Sequence, residues 1–440
     1  MPFRRVHGLQ IRSYESCEGW ATKREMRWCD ACQALAVDLE PKFIRGDELM
    51  EFFGAVQTGF GRTVLDENDE YPGHLITADR TFAVRDGGTI VSTASSYAFD
   101  VTVPGGAQLP MAAVSMVTVH PTHRRRGVLR RVMDAQLDDV VRRGEPLAGL
   151  TASEASIYER FGYGTATFTT NWELESDYAR VQGVGDDGGR VRLVDADTAA
   201  SVAHDVYSRA SRRVGELTRP AEWWPRLFAP RSKGARFFTA VHEGPDHVAD
   251  AFARYTLENH WPDGVAADVL HVRELQAVTP EAEAAMWRYL FGIDLVGTIS
   301  AVDRPVDDPL RWRLPDPRRM RVRQLRDHLW VRVVDIAASL AGRTYAADDA
   351  LVFELIDDFR PENSGCWLID GGPQGAACSR TDRAADLSLS APDLGALYLG
   401  GVPVSTLAAA GRVRELTTSA IARADRMFLV HPSPWCTTHF

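Results

Sequence analysis

The stretch MAAVSMVTVHPTHRRRGVLRRVM, Met111 to Met133, narrows the possible folds more than any other part of this 440-residue chain. Met111–Val119 is a nearly unbroken apolar, β-branched run, which reads as a buried central strand. From Val128, apolar residues recur at Leu129, Val132, Met133, Leu137, Val140 and Val141, the spacing of a helix with one face turned inward. A buried strand passing through a short loop into an amphipathic helix belongs to an α/β layer architecture.

The loop carries His123, Arg124, Arg125, Arg126 and Gly127, and three readings of it compete: a nucleic-acid patch, a solvated charge run, or a cradle for a phosphorylated cofactor. A helix N-terminus exposes unpaired N–H groups and a partial positive charge, and so suits an anion. Arg125 and Arg126 add charge there, Gly127 removes a side chain that would block close approach, and Pro121 fixes the turn. If Val117, Thr118 and Val119 bulge or splay from a neighbouring strand, their backbone groups can pair with an amide-bearing arm. Pantetheine is such an arm, and coenzyme A ends in a pyrophosphate.

Hydrophobic residues make up 45% and charged residues 25% of the chain, as in soluble globular proteins. A net charge of −10 excludes a globally nucleic-acid-binding or anionic-membrane-binding protein and favours cationic partners such as polyamines or amino sugars. No apolar run is long enough to cross a bilayer and the N-terminus lacks a signal-peptide core, so the expected location is cytoplasmic. The six cysteines, 17, 29, 32, 366, 378 and 436, are too sparse for a disulfide scaffold. Cys29 and Cys32 form a lone CxxC pair without a second ligand pair or a βαβ setting, so reduced, non-catalytic thiols and no metal are expected.

Residues 1–33 read as an extension of no assigned role. In 34–183, a strand over Leu35–Ile44 leads to a helix opening at Asp47, then a hairpin turning at Asp86-Gly87-Gly88. The central strand and helix follow, then a strand over Glu145–Glu154 and a short helix stopped by glycine. The Gly/Asp-rich run Val184–Gly189 reads as a linker. Residues 190–318 repeat the strand-to-helix passages without the arginine turn, as a degenerate copy of the first fold. Residues 319–440 read as an α+β domain. The fold class is therefore α/β with an α+β C-terminal part.

Arg124-x-x-Gly127 after an apolar strand resembles the acetyl-CoA loop of the GNAT superfamily of N-acetyltransferases. Leu129 stands where most members carry a small residue, a departure that suits the narrower Eis (enhanced intracellular survival) family. Further similarities follow in order: TASEASIYERFGYGTAT (Thr151–Thr167), RELQAVTPEA (Arg273–Ala282), DDPLRWRL (Asp307–Leu314), LYLGG (Leu397–Gly401) and a terminal phenylalanine. The resemblance spans about residues 35–440. It implies two GNAT-type mixed-sheet domains in tandem and a C-terminal domain like sterol carrier proteins. It also implies acetyl-CoA as cosubstrate, no metal, a small-molecule amine acceptor of aminoglycoside-like polyamine type, and a homo-oligomer of six copies.

Residue by residue, the resemblance places cofactor contacts at Val117, Thr118, Val119, Arg125, Arg126, Gly127, Val128, Leu129, Arg130, Ser153 and Glu154. It makes Tyr158 the proton donor to the coenzyme A thiolate, with Tyr163 as the rival phenol. The base it implies is the α-carboxylate of Phe440, anchored by Trp435 and the Phe440 ring. Glu154 and Glu159 are alternative bases, and Asp307 and Asp308 shape a turn. Phe60 is retained in the substrate channel. Leu49 and Thr63 replace aromatics there, and His439 stands where other members carry an acid. Two rival functions are a protein-lysine N-acetyltransferase with the same centre, and a lipid or small-ligand binder using the C-terminal domain.

Overall fold

The computed structural model describes residues 39–62, 75–185, 188–210, 212–228 and 237–440, and Glu40–Phe440 forms one packed unit. Cys17, Cys29, Cys32 and Thr63 lie outside the described residues. Among the described residues no helix is long and apolar enough to cross a membrane.

Two seven-stranded sheets and a five-stranded sheet carry the fold. In chain order across the first sheet, Lys42–Phe43, Thr81–Asp86, Thr89–Thr102, Gln108–Val119 and Leu147–Thr151 lie side by side, then Leu329–Val333 and Gly164–Thr165. The second sheet repeats this layout with Arg190–Val194, Phe238–Glu243, Ala249–Glu258, Asp268–Ala277 and Val296–Pro305, then Phe168–Glu175 and Arg321–Asp327. Each has one parallel pair at the same place, Gln108–Val119 with Leu147–Thr151 and Asp268–Ala277 with Val296–Pro305. The loose repeat in the sequence is thus a repeat of topology.

Three strands cross the segment bounds, Arg321–Asp327 of the third segment among them, which pairs in the second sheet. Phe168–Glu175 pairs in the second sheet and Leu329–Val333 in the first, so the segment bounds at 183 and 318 do not follow sheet membership. Both strands are placed by hydrogen-bonding partners more than a hundred residues away, which local periodicity does not encode. Two further readings need correction. The first strand is only Lys42–Phe43 among the described residues, and Val141, expected inward, is 57% exposed. Val141 lies one residue, about 100° of helix rotation, beyond the buried Val140. The hairpin forms as expected, Gly87 and Gly88 both taking positive φ (54° and 91°), the demand of a two-residue turn that follows strand twist.

The third segment, built on a sheet of Asp349–Ile356, Gly365–Gly372, Gly375–Arg380, Leu387–Ser390 and Arg414–Glu415, shares its core with the first sheet. Leu351, Phe353, Leu389 and Leu397 join Phe99, Val101 and Leu147 in one cluster. The approach is close enough to require glycine: a Cβ on Gly164 would sit 1.8 Å from the Pro392 carbonyl oxygen, and one on Gly395 2.1 Å from that of Val331. That docking brings the chain's last residues back to the two sheets.

Glu216 joins the end of Thr89–Thr102 to the segment beneath the tail, its carbonyl accepting from Thr102 N at 2.9 Å. Its side chain is buried, Oε1 having no hydrogen-bond partner among the described residues, and burial pushes its carboxyl up to about 7. A folded value above the unfolded one, about 4.3, gives stability that is whole below the unfolded value and is lost as pH rises through about 7. Glu216→Gln is therefore expected to raise the unfolding temperature at pH 8 and leave it nearly unchanged at pH 4, read by thermal unfolding at both. An equal shift at both values would discard the explanation.

Candidate active site

The central strand meets its parallel partner only from Met111–Ala113, against Leu147–Gly149, after which the two part. On its other edge the pairing slips between Ser95↔Ser115 and Thr93↔Thr118, so Met116 and Val117 together oppose Ala94. This is a β-bulge, with Met116 at φ 56°. Two hydroxyls hold it: Ser92 donates to the Thr118 carbonyl at 2.6 Å and Thr93 to that of Met116 at 2.7 Å. Beyond Ala113 the edge of the central strand that carries Val117, Thr118 and Val119 therefore has no ladder partner in Leu147–Thr151, the splay that the sequence reading asked for.

Beyond Val119 the turn is braced on both sides. His123 Nε2 pairs with Asp86 Oδ2 at 2.8 Å, and Arg124 Nε donates to the Val119 carbonyl at 3.4 Å. Arg125 and Gly127 take positive φ (63° and 80°), and the helix Val128–Arg142 starts on Gly127 with no side chain capping it. Its first-turn N–H groups at Val128, Leu129 and Arg130 are left for an external acceptor. Arg125 and Arg126 are exposed, with no ion pair to a described residue, while the Arg130 guanidinium lies 4.9 Å over the Phe359 ring. The equivalent helix of the second sheet, Pro280–Phe291, is closed instead: Thr279 caps Ala282 N, and Glu281 and Glu283 occupy the first turn. Of these two equivalent helix starts, only that at Gly127 is left without a side-chain cap.

The first sheet separates two apolar clusters. Met116 packs against the large cluster that holds Phe99 and on which Phe440 also packs, while its neighbour Val117 packs against the smaller cluster that holds Tyr158. Tyr158, at the end of the short helix Ala155–Tyr158, is 7% exposed. Burial raises its phenol above the ordinary tyrosine value, a hydrogen bond with Ser153 opposes that, and the charge of Glu154 adds to it. Tyr163 is fully buried, its hydroxyl without a hydrogen-bond partner among the described residues, and burial raises it strongly. It offers no accessible proton. Glu159 is bound to Arg412 at 2.8 Å, and Glu154 is exposed.

The tail is tied at every step. Ser433 N donates to Asp307 Oδ2 at 2.8 Å, and Asp307 also holds Arg213 at 2.6 Å. Asp308 binds Arg304 at 2.8 Å, so both acids shape and brace structure as expected. Trp435 donates from N to the Val214 carbonyl and from Nε1 to the Asp303 carbonyl, both at 2.8 Å. Buried Arg219 reaches the Thr437 and Thr438 hydroxyls, each at 2.9 Å. The Phe440 ring meets Phe99 edge-on at 6.0 Å, and Tyr97, Phe99 and Trp223 complete an aromatic group there. Cys436, within the tail, is buried, which pushes its thiol up to about 12 and leaves it protonated.

A cavity of about 550 Å³ opens beside the tail, lined by Trp223, Asp303, Glu274, Trp435 and His439, with five arginines: 219, 226, 254, 273 and 304. Of the expected channel residues that are described, only His439 reaches it. Leu49 and Phe60 stand at opposite ends of the Leu49–Gly59 helix, roughly 16 Å apart. Leu49 packs on the Phe440 cluster, and Phe60 is 53% exposed.

Residues 40–166 and 215–333 each match an acetyltransferase (GNAT) domain family, and 336–437 match a sterol carrier protein domain family. An uncharacterized N-acetyltransferase of Streptomyces coelicolor is 41% identical over 90% of this chain and 98% of its own length. N-acetyltransferase Eis of Mycobacterium tuberculosis is 35% identical over 80% of this chain and 88% of its own. The chain belongs to the Eis family of N-acetyltransferases. Eis1 from Mycobacterium abscessus superposes with a TM-score of 0.81 at 32% identity, over 91% of this chain and all of that one. A GCN5-related N-acetyltransferase from Anabaena variabilis, 18% identical, shares the fold with a TM-score of 0.79, over 91% of this chain and all of its own.

The chain is thus an acyltransferase enzyme with two GNAT domains and a sterol-carrier-like domain, and its fold implies acetyl-CoA as cosubstrate. Against this Eis-family frame, reading the sequence missed Trp223, the cavity arginines, Asp303 and His328. His328 is buried with Nε2 3.5 Å from His439 Nε2, and burial lowers its imidazole to about 3, so it is neutral. A lone histidine followed by leucine and tryptophan carries no local signal of that.

Proposed function

We propose that the chain transfers the acetyl group of acetyl-CoA to a primary amine. The amine nitrogen attacks the thioester carbon, forming the C–N bond. The Phe440 α-carboxylate takes the amine proton, the C–S bond breaks, and Tyr158 gives its proton to the departing sulfur. The observation that carries this reading is the bulge at Met116–Val117, whose two neighbouring side chains pack against different clusters, the one on which Phe440 packs and the one that holds Tyr158. A thioester lying in the splay would have an acid on one side and a base on the other. Arg125, Arg126, Gly127 and the N–H groups of Val128, Leu129 and Arg130 would hold the pyrophosphate, with Ser153 and Glu154 flanking the arm.

The resemblance makes the acceptor an aminoglycoside-like polyamine and the assembly six copies. Around the cavity Arg219, Arg254 and Arg304 already pair with carboxylates, and the rings of Trp223, Phe237 and Trp435 favour a second acceptor class, a single amine on an aromatic body. A lipid-binding role is weakened because the third segment's apolar residues are packed into the shared core.

The test is thiol release from acetyl-CoA with a kanamycin-type polyamine and, in parallel, an amine bearing an aromatic ring. Arg125→Ala with Arg126→Ala is expected to raise KM for acetyl-CoA by about a hundredfold, taking about 1.5 kcal/mol for each charge-assisted contact, with kcat little changed. No acetyl-CoA-dependent release with any amine would end the enzyme reading for this site.

A further inference from the structure

One cluster of metal-ligating side chains lies outside the acetyl-transfer residues. Asp303 of the second sheet, His328 between two strands, and His439 of the tail place one ligand atom each within 4.8 Å of one another. His439 Nε2 lies 2.9 Å from Asp303 Oδ2 and 3.5 Å from His328 Nε2. A carboxylate only accepts, so His439 Nε2 must carry the proton that joins it to Asp303. A divalent cation supplies what the proton supplies, with more charge. In a tetrahedral zinc site with bonds of about 2.0–2.1 Å, ligand atoms stand roughly 3.4 Å apart, and the two short separations here lie on either side of that.

The supporting contacts are those of a ligand set. Arg326 at 3.0 Å and Thr169 at 3.4 Å donate to Asp303 Oδ1, leaving Oδ2 to face the histidines. Asp303 is held at φ 53° by its N–H donating to Asn171 Oδ1 and its carbonyl accepting from Trp435 Nε1. His328 is 2% exposed, and its Nδ1 has no partner among the described residues. Asp303 and His439 both line the cavity, so coordination positions remain open toward it.

We propose that Asp303, His328 and His439 form a site for a divalent transition-metal ion of the zinc class. Two imidazoles exclude magnesium and calcium, which take oxygen ligands. Because His439 is bonded to Phe440, the ion would fix the position of the terminal carboxylate. The metal site itself does not depend on the catalytic reading.

The test uses the full chain, stripped with a chelator and dialysed against Zn²⁺ or Co²⁺ alone. The CxxC cysteines are a second candidate for metal, so Cys17→Ser, Cys29→Ser and Cys32→Ser are combined in a parallel protein. The expected result is one ion per chain in both proteins, with visible cobalt ligand-field bands and no thiolate charge-transfer band in the serine protein. His439→Ala removes a half-exposed side chain, and it should weaken binding more than about tenfold, the least that losing even an outer-shell partner costs. Asp303→Asn should do the same. Zinc should raise the unfolding temperature of the serine protein but not of its His439→Ala form. No ion in the serine protein, or undiminished binding after both substitutions, would overturn the proposal.

Discussion

Removing Phe440 alone is expected to cut kcat by about a hundred- to ten-thousandfold, the range of a positioned general base. Folding and acetyl-CoA binding should stay close to those of the intact chain. The ties that hold the tail lie upstream of the last residue: Ser433 to Asp307, Trp435 to Val214 and Asp303, and Arg219 to Thr437 and Thr438. The deletion therefore takes away one ring, half-buried against Phe99, and moves the carboxylate back by one residue. Appending a single glycine separates the two losses. It keeps the Phe440 ring but turns its carboxylate into a neutral amide, so it should lose as much kcat as the deletion. If the extended chain keeps full kcat, the terminal carboxylate is not the base and the ring alone matters. Steady-state kinetics with saturating acetyl-CoA, beside thermal unfolding of each form, decide between these.

The parts of this site legible in the sequence are those encoded over short distances. The passage from Met111 to Met133 showed its strand, loop and helix because period and punctuation changed within a few residues, and Gly127 sits where the helix starts. The short helix before Gly162 was legible for the same reason, its C-cap taking φ 83°. The bulge could be stated only as a condition, since the slip at Met116 depends on a partner strand. The exchange of Phe168–Glu175 and Leu329–Val333 left no mark at all, because apolar strands of the two sheets are interchangeable until tertiary pairing selects one. The tail's setting shows the same limit. His439 pairs with Asp303 across 136 residues and faces His328 across 111, separations at which neither spacing nor charge pattern carries information. The cavity arginines are scattered likewise from Arg219 to Arg304 and converge only through the sheet.

Tyr158→Phe carries the second large expected effect, a fall in kcat of about a hundred- to ten-thousandfold with KM for acetyl-CoA within a fewfold of the intact enzyme. The residue is 7% exposed, meets the Tyr163 ring edge-on and belongs to the cluster against which Val117 and Leu129 pack, a setting that phenylalanine keeps. What is lost is one proton, held beside Ser153. Burial stabilises the neutral phenol, so its folded value lies above the ordinary one of about 10. The acid form is then fully present at neutral pH, and activity should fall only as pH rises beyond that ordinary value. Tyr158→Phe should abolish this alkaline limb as well as lower the plateau. Ser153→Ala sharpens the point: losing the hydrogen bond that favours the phenolate should move the limb to still higher pH without removing it. A merely structural tyrosine would move stability and leave the pH profile in place. If Tyr158→Phe retains kcat and the same alkaline limb, the proton comes from solvent, because Tyr163 is sealed in the core and Glu159 is held by Arg412.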